Sequence, residues 1–412
     1  MDGSKLTDGG SKPTDGSKVT RRSLLVKGAA GVGGLSSLAL GSNNVARAAV
    51  RYSRARAAAQ PAAYAGLKAK LAAAQALPKF VPPGPPIDIR AARGKTLSYI
   101  AITLDIPVLQ QNWAGVQQGA KAAGLVATSY NGKGSTSLCA TGITQAINQK
   151  IDCILIDAVP PNTIAQQVHA ARQAGIKVIF LDTLDPAAEK KWYPAGAPPN
   201  TGSGTVSFDF VGAAELEAAW VLVDSGGKNI NCVTFGVPGD PASETMVNVI
   251  AAYFKEYAQG PYKLSHQWVL SPDWATREPV LTRTIMTADP TINYIIPVVD
   301  AQCLYIVPTL QQLGKTNVKL VAFNGTPAVE AYVKNHQLVR MDVAVGFVWE
   351  GWQDVDQALR ALLGKPPAPA SKPPNRAFTW NNIHTINPNG NNADWFATGK
   401  TAIPGFKKLW GI

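Results

Sequence analysis

The chain has little of what metal and thiol chemistry needs. Its 412 residues include four histidines and four cysteines. His169, His266, His336 and His384 are scattered without metal-ligand spacing, and Cys139, Cys153, Cys232 and Cys303 form no Cys-x-x-Cys pair. Zinc sites and thiol exchange are thereby excluded. Three Gly-Lys-Thr triplets, beginning at Gly94, Gly314 and Gly399, lack the glycine five residues earlier that folds amides around a phosphate; Ile89, Thr309 and Asp394 stand there. No Gly-x-Ser-x-Gly elbow is present, which removes one large class of hydrolases. No catalytic residues, metal or cofactor are expected.

A surplus of charge is also missing where it would matter. The formal net charge of +12 is confined to the beginning of the chain: residues 1–48 contribute +4 and residues 49–95 contribute +8. From Thr96 to Ile412, 23 basic residues balance 23 acidic ones. A neutral body offers no footprint for a phosphate backbone, so nucleic acid is not an expected partner.

What is there begins with Thr20-Arg21-Arg22-Ser23-Leu24-Leu25, followed by a modest apolar stretch over 29–40 and by Ala46-Arg47-Ala48. These residues resemble a twin-arginine export signal with a small-residue cleavage site. Gly31-x-Gly33-x-x-Ser36 is not a nucleotide loop, because polar low-complexity sequence and no strand precedes it. A lipid span needs roughly 20 apolar residues, and Gly, Ser and Asn interrupt this run well short of that. Cleavage near Ala48 and a periplasmic or other extracytoplasmic location are expected. Residues 49–95, Ala-rich and then Pro-rich, read as a basic tether or loosely fitting cap.

From Thr96 onward, short β-branched runs alternate with helical spacing. TLSYIAIT (96–103), LVATSY (125–130), CILIDAV (153–159), KVIFLDT (177–183) and TVSFD (205–209) form one series of strands. NINCVTFG (229–236), YKLSHQWVL (262–270), NYIIPVV (293–299), VKLVAFN (318–324) and LVRMDVAV (338–345) form a second. Between the first strands, Leu109, Trp113, Val116, Ala120 and Ala123 make one apolar helical stripe. The pattern predicts an α/β fold of two similar lobes, each a parallel doubly wound sheet with flanking helices. Ligands of such sheets bind outside the carboxyl ends of the strands, here in a cleft between lobes. Cys153, Cys232 and Cys303 lie in apolar runs, where a buried free thiol is the commoner outcome, although one disulfide is conceivable outside the cytoplasm.

LDIPVLQQNWAGVQQGAKAAG, ITQAINQKIDCILIDAV, ARQAGIKVIFLDT, FDFVGAAEL, VVDAQCLYIVPTLQQLGK and VAFNGTPAVEAYVKNHQLV follow one another in an order and spacing that resemble the type I, ribose-binding-like substrate-binding proteins of sugar ABC transporters. WEGWQDVDQALRALLGK and FKKLWG are similar to the family's ending. The resemblance implies a three-crossover hinge near Gly226, Gly346 and Pro373. It implies an N-terminal lobe of residues 96–226 plus 346–373 and a C-terminal lobe of 227–345 plus 374–412. It further implies a small-molecule solute, an ABC permease as partner, and a monomer. The related lactose-repressor family begins with a helix-turn-helix, where this chain has an export signal.

A binder of hydroxyl-rich solutes needs preset acceptors and donors on strand ends, with apolar faces covering the ring. The candidates are Asp105, Asp157, Asp182, Thr183, Asp209, Asp240, Glu244, Asp273, Asp300 and Asn324, with Val108, Leu109, Phe210, Trp274, Phe323 and Trp349 as apolar walls. Asp157, Asp182 and Asp300 have a plainer reading as helix caps, Asp240 as a turn former, and Trp349 as part of a core stripe with Trp352, Val355, Leu359 and Leu362. The family's paired aromatics after the first-loop proline are Val108 and Leu109 here. Thr183, and the stretch from Glu244 to Met246, stand where arginines are common, and Val299 replaces an amide. A sugar or polyol is the expected solute. An amine, amphipathic or aromatic solute, a chemosensory role, and a glycoside-acting enzyme are the alternatives.

Overall fold

Two sheets are built from the two series of strands. The computed structural model describes residues 62–183, 203–368 and 372–412; the export leader and the tether up to residue 61 lie outside the described residues. The first sheet has the order β2-β1-β3-β4-β5, with β1 Thr96–Ala101, β2 Val126–Asn131, β3 Cys153–Asp157, β4 Lys177–Leu181 and β5 Gly204–Val206, all parallel. The second has the order β11-β10-β9-β8-β6-β7, with β6 Asn231–Gly236, β7 Lys263–Trp268, β8 Tyr294–Pro297, β9 Lys319–Asn324, β10 Val339–Val345 and β11 Asn375–Thr379. β3 and β6 are buried along their whole length, as continuous apolar runs covered on both faces must be. The edge strands β2 and β7 alternate in exposure.

The second sheet is not wholly parallel: β11 runs antiparallel against β10, with Asp342 opposite Phe378. This strand carries too little apolar periodicity to stand out in the sequence, and its partner supplies the register.

Helices cover both sheets. The helix Pro107–Ala123 starts with proline in its first turn and ends at Gly124, whose φ of 74° is the left-handed conformation that glycine adopts without a Cβ penalty. It crosses the helix Phe347–Leu362 so closely that a Cβ on Gly351 would lie 2.4 Å from the Val116 amide nitrogen. Trp113, in the same stripe, stacks on Tyr99 at 5.2 Å between ring centroids.

The first crossing between sheets comes earlier than Gly226. The helix Phe210–Ser225 already packs against β9, β10 and the helix Pro241–Tyr257, so the chain leaves the first sheet directly after β5. Gly226 is the left-handed terminator of that helix, which is what its position after a helical run signals. The chain returns to the first sheet after β10, where the helix Phe347–Leu362 packs against β3, β4 and β5, and crosses again before β11. The last helix, Ala402–Trp410, does not stay with the second sheet: Trp410 stacks on Trp352 at 5.3 Å and donates from Nε1 to Asp356 at 2.8 Å.

The supposed tether is a packed part of the body from residue 62. A helix over 62–75 buries Leu67 and Leu71, and Ile87, Ile89 and Ala92 are buried as well. Alanine and proline in this stretch do not signal solvation here; they leave the spaced leucines and isoleucines as anchors. All four cysteines are buried and free.

Candidate functional site

The carboxyl ends of the strands carry the candidate residues. In the first sheet the register aligns Ala101 with Asp157 and Asp157 with Leu181, so residues 102–105, 158–159, 182–183 and 207–209 emerge along one edge. In the second, Phe235 pairs with Pro297 and Ala344 with Asn324, which brings 237–240, 298–300 and 324–326 to one edge. Phe208, Phe210, Phe323 and Phe347 join the two edges: Phe323, in β9, lies 6.0 Å from Phe208 and 5.8 Å from Phe210, and Phe347 lies 6.2 Å from Phe208. This aromatic quartet packs the two lobes together where the chain crosses between sheets; Phe208, Phe323 and Phe347 are buried, and Phe210 is partly exposed.

Backbone strain marks the same edges. Ala158, Asp182 and Asn324, immediately after or at the ends of β3, β4 and β9, have φ of 54°, 51° and 143°. Such conformations in non-glycine residues persist only where surrounding structure enforces them, and they cluster at ligand sites.

The acidic candidates divide by environment. Asp157 is fully buried; its Oδ2 accepts a hydrogen bond from the Tyr99 hydroxyl, while Oδ1 has no partner. Burial pushes its carboxyl up to about 6. Asp182 lies beside Asp157 and Glu350, and burial together with the Glu350 and Asp157 charges holds it well above the carboxylate range. Glu350 is pushed up to about 8, chiefly by burial. Deeper in the lobe, burial and the Glu350 charge also raise Asp354, and the fully buried Asn112 amide faces both Glu350 and Asp354.

In the second lobe Asp300 is fully buried, and its Oδ2 accepts from the Thr326 amide at 2.6 Å and the Thr326 hydroxyl at 2.7 Å. Burial raises it to about 6. Asp342 and Glu330 behind it are held well above their ordinary range, first by burial and then by neighbouring acids. Neither Asp157 nor Asp300 caps a following helix.

Asp209 and Asp240 are caps. Asp209 accepts from the Gly212 amide at 3.3 Å, and Asp240 from the Ala242 and Ser243 amides at 3.4 and 3.1 Å. Burial pushes the Asp240 carboxyl up to about 6 despite those bonds. Glu244 accepts from the Gly239 amide at 3.2 Å, tightening the same loop. Asp105 is exposed on its loop, where the Thr103 hydroxyl donates to it at 3.1 Å and the Asn131 amide at 3.3 Å. Asp273 is paired with Arg277 at 3.7 Å, and Trp274 is half-buried, donating from Nε1 to the Val269 carbonyl at 3.2 Å. Thr183 is half-buried at the end of β4, and its Oγ1 has no partner.

Four apolar candidates belong to the core instead of a cleft wall. Val108 and Leu109 are buried on the inner face of the helix Pro107–Ala123, Phe323 is buried in β9, and Trp349 is buried against Phe80. Helical spacing placed Leu109 and Trp349 on apolar stripes, and those stripes face inward. Phe208 and Phe347 were missed: each is adjacent to a crossing, a place that only the topology reveals. Among the described residues no cluster of three or more His, Cys, Asp or Glu could hold a metal ion, and no helix is long and apolar enough to cross a membrane.

Residues 98–366 match the model of the periplasmic binding protein domain family. The chain belongs to that family. No curated protein sequence matches it. Among solved structures, this periplasmic binding protein is similar to an ABC transporter solute-binding protein from Agrobacterium vitis with bound allitol, at 19% identity and a TM-score of 0.62, covering 71% of this chain and 98% of that one. It is similar to a 5-methylthioribose transporter solute-binding protein from Thermotoga lettingae, at 18% identity and a TM-score of 0.63, covering 77% of this chain and 96% of that one. A solute-binding protein from Actinobacillus succinogenes with bound D-allose gives 20% identity and a TM-score of 0.60, covering 71% of this chain and 100% of that one. At such identities these structures establish the shared two-lobed fold. Residues 62–95 precede the family match.

Proposed function

We propose that the chain is an extracytoplasmic solute-binding protein that captures a sugar or polyol between its lobes and delivers it to an ABC transporter permease. The observation that carries this reading is a pair of strand edges, bearing carboxyl, hydroxyl and amide side chains, that meet beside the partly exposed ring of Phe210. An apolar ring takes the C–H face of a sugar, while Asp182, Thr183, Asp240 and Asn324 offer oxygen and nitrogen partners for hydroxyls. Solute bridging both edges favours the closed form, and the permease reads that form. The ligands bound in the similar structures, allitol, D-allose and 5-methylthioribose, support a polyol or sugar. On this reading Thr20-Arg21-Arg22-Ser23-Leu24-Leu25 serves as an export signal, and the mature protein works outside the cytoplasm as a monomeric binder.

A second reading is favoured by one observation. Burial raises Asp157, Asp182 and Glu350, neighbouring acids add to the rise at Asp182 and Glu350, and among the described residues no basic group contributes to their electrostatics. A solute carrying an amine would complement them. Thermal-shift measurements of the mature chain against sugars, polyols, amines and aromatic acids decide between these readings, because a ligand of the folded form raises the melting temperature. Stabilisation by neutral polyols supports the first reading, stabilisation by amines alone supports the second, and hydrolysis of a glycoside without stabilisation overturns both.

A further inference from the structure

We propose that residues 62–95 form a strap that ties the two lobes together behind the hinge and limits how far the cleft opens. At its beginning the strap is fastened to the second lobe. The Tyr64 hydroxyl donates to the Tyr257 carbonyl at 3.1 Å, and Lys70 pairs with Glu215 and donates to the Tyr253 hydroxyl at 3.2 Å. Leu67 and Leu71 are buried beneath it. At residue 75 it meets β11, where Arg376 Nε donates to the Gln75 carbonyl at 3.3 Å.

The middle of the strap lies on the hinge itself. The Phe80 ring packs 5.9 Å from Trp349, in the first turn after the second crossing, and 5.0 Å from Phe406 of the last helix. Beyond it the strap is fastened to the first lobe. Arg360, itself held by Asp356 at 2.8 Å, donates to the Pro85 carbonyl at 2.9 Å, and the Ile87 amide donates to the Leu409 carbonyl at 2.9 Å. The chain then enters β1.

A hinge made of three crossings can rotate because only a few backbone torsions resist it. A further connection anchored by apolar burial at one end and by the Arg360–Pro85 hydrogen bond at the other adds packed contacts that rotation must break. These residues lie before the family match at 98–366, so the restraint is an addition to the shared fold. Restricting the open states raises the share of molecules ready to bind, which tightens apparent affinity without any new contact to solute. The strap rests on its packing alone and is independent of which solute is bound.

Spin labels at Lys133→Cys and Thr276→Cys, exposed positions that follow β2 and β7 in opposite lobes, report the width of the cleft by double electron–electron resonance. The four native thiols are buried and remain unlabelled in the folded protein. In the full mature chain, Leu67→Ser with Leu71→Ser, and separately Phe80→Ala, should broaden the distance distribution and extend it to longer separations. Tyr64→Phe with Lys70→Ala alters only partly exposed anchors, and it should produce a smaller shift in the same direction in a protein that folds. Distributions superimposable on the parent's, in variants with cooperative melting and unchanged circular dichroism, overturn the proposal.

Discussion

In the second lobe the buried Asp300 receives both the amide and the hydroxyl of Thr326, and the buried Glu278 receives the Gln302 amide at 2.7 Å. At the matching place in the first lobe, Asp157 has Tyr99 as its donor, while Asp182 and Glu350 face other carboxyls. Both lobes therefore bury acids that face one another, Asp182 and Glu350 in the first and Asp342 and Glu330 in the second, but Asp300 receives two donors where Asp157 receives one. Facing acids in a dry interior must keep at least one proton between them, so both lobes are sensitive to pH.

The largest expected effect breaks the packing on which the first lobe's cluster rests. Gly351→Ala places a methyl 2.4 Å from the Val116 nitrogen and 2.5 Å from the Asn112 carbonyl oxygen, forcing apart the helices that carry Asn112 and Glu350. Overpacking against backbone should cost about 3 kcal/mol, read by denaturant unfolding. Next comes Asp300→Ala, which leaves the buried Thr326 amide and hydroxyl without an acceptor and should cost about 2 kcal/mol.

The smallest effect has the opposite sign. Glu350 holds its proton up to about pH 8 in the folded protein and releases it near the ordinary value of 4.5 when unfolded. The folded state therefore binds more protons between those values, so stability is full below the unfolded value and falls as pH rises toward 8, by about 1.4 kcal/mol per pH unit for one such group. Glu350→Gln removes that slope, and it should match the parent near pH 4 and already exceed it by about 1 kcal/mol near pH 5. A parent whose melting temperature rises from pH 5 to pH 8 would contradict a folded state that keeps Glu350 protonated.

Most of the sheet architecture was legible because strands buried on both faces read as unbroken apolar runs. The cleft was harder. Asp209 and Asp240 look the same in sequence as Asp157 and Asp300, yet two are helix caps and two are buried behind the strand ends, and only the directions of their side chains separate them. Glu217, Glu278, Glu330, Asp342, Glu350 and Asp354 were invisible as buried groups, because an acid in a helical or strand pattern reads as a mark of the solvent face. In Phe347–Leu362 that rule fails outright: the helix is buried from Phe347 to Ala361, so its polar residues have no outer face to occupy. The early crossing after β5 and the buried aromatic cluster beside it depend on which sheet a helix rests on, a fact that local periodicity does not encode.

The hydrogen bond from Ile87 to Leu409 joins positions 322 residues apart. Segments brought together from opposite ends of a chain assemble late, since a long loop must close before the contact contributes anything. The segment that leads into β1 must then wait for the helix Ala402–Trp410 before the Ile87 amide finds its acceptor.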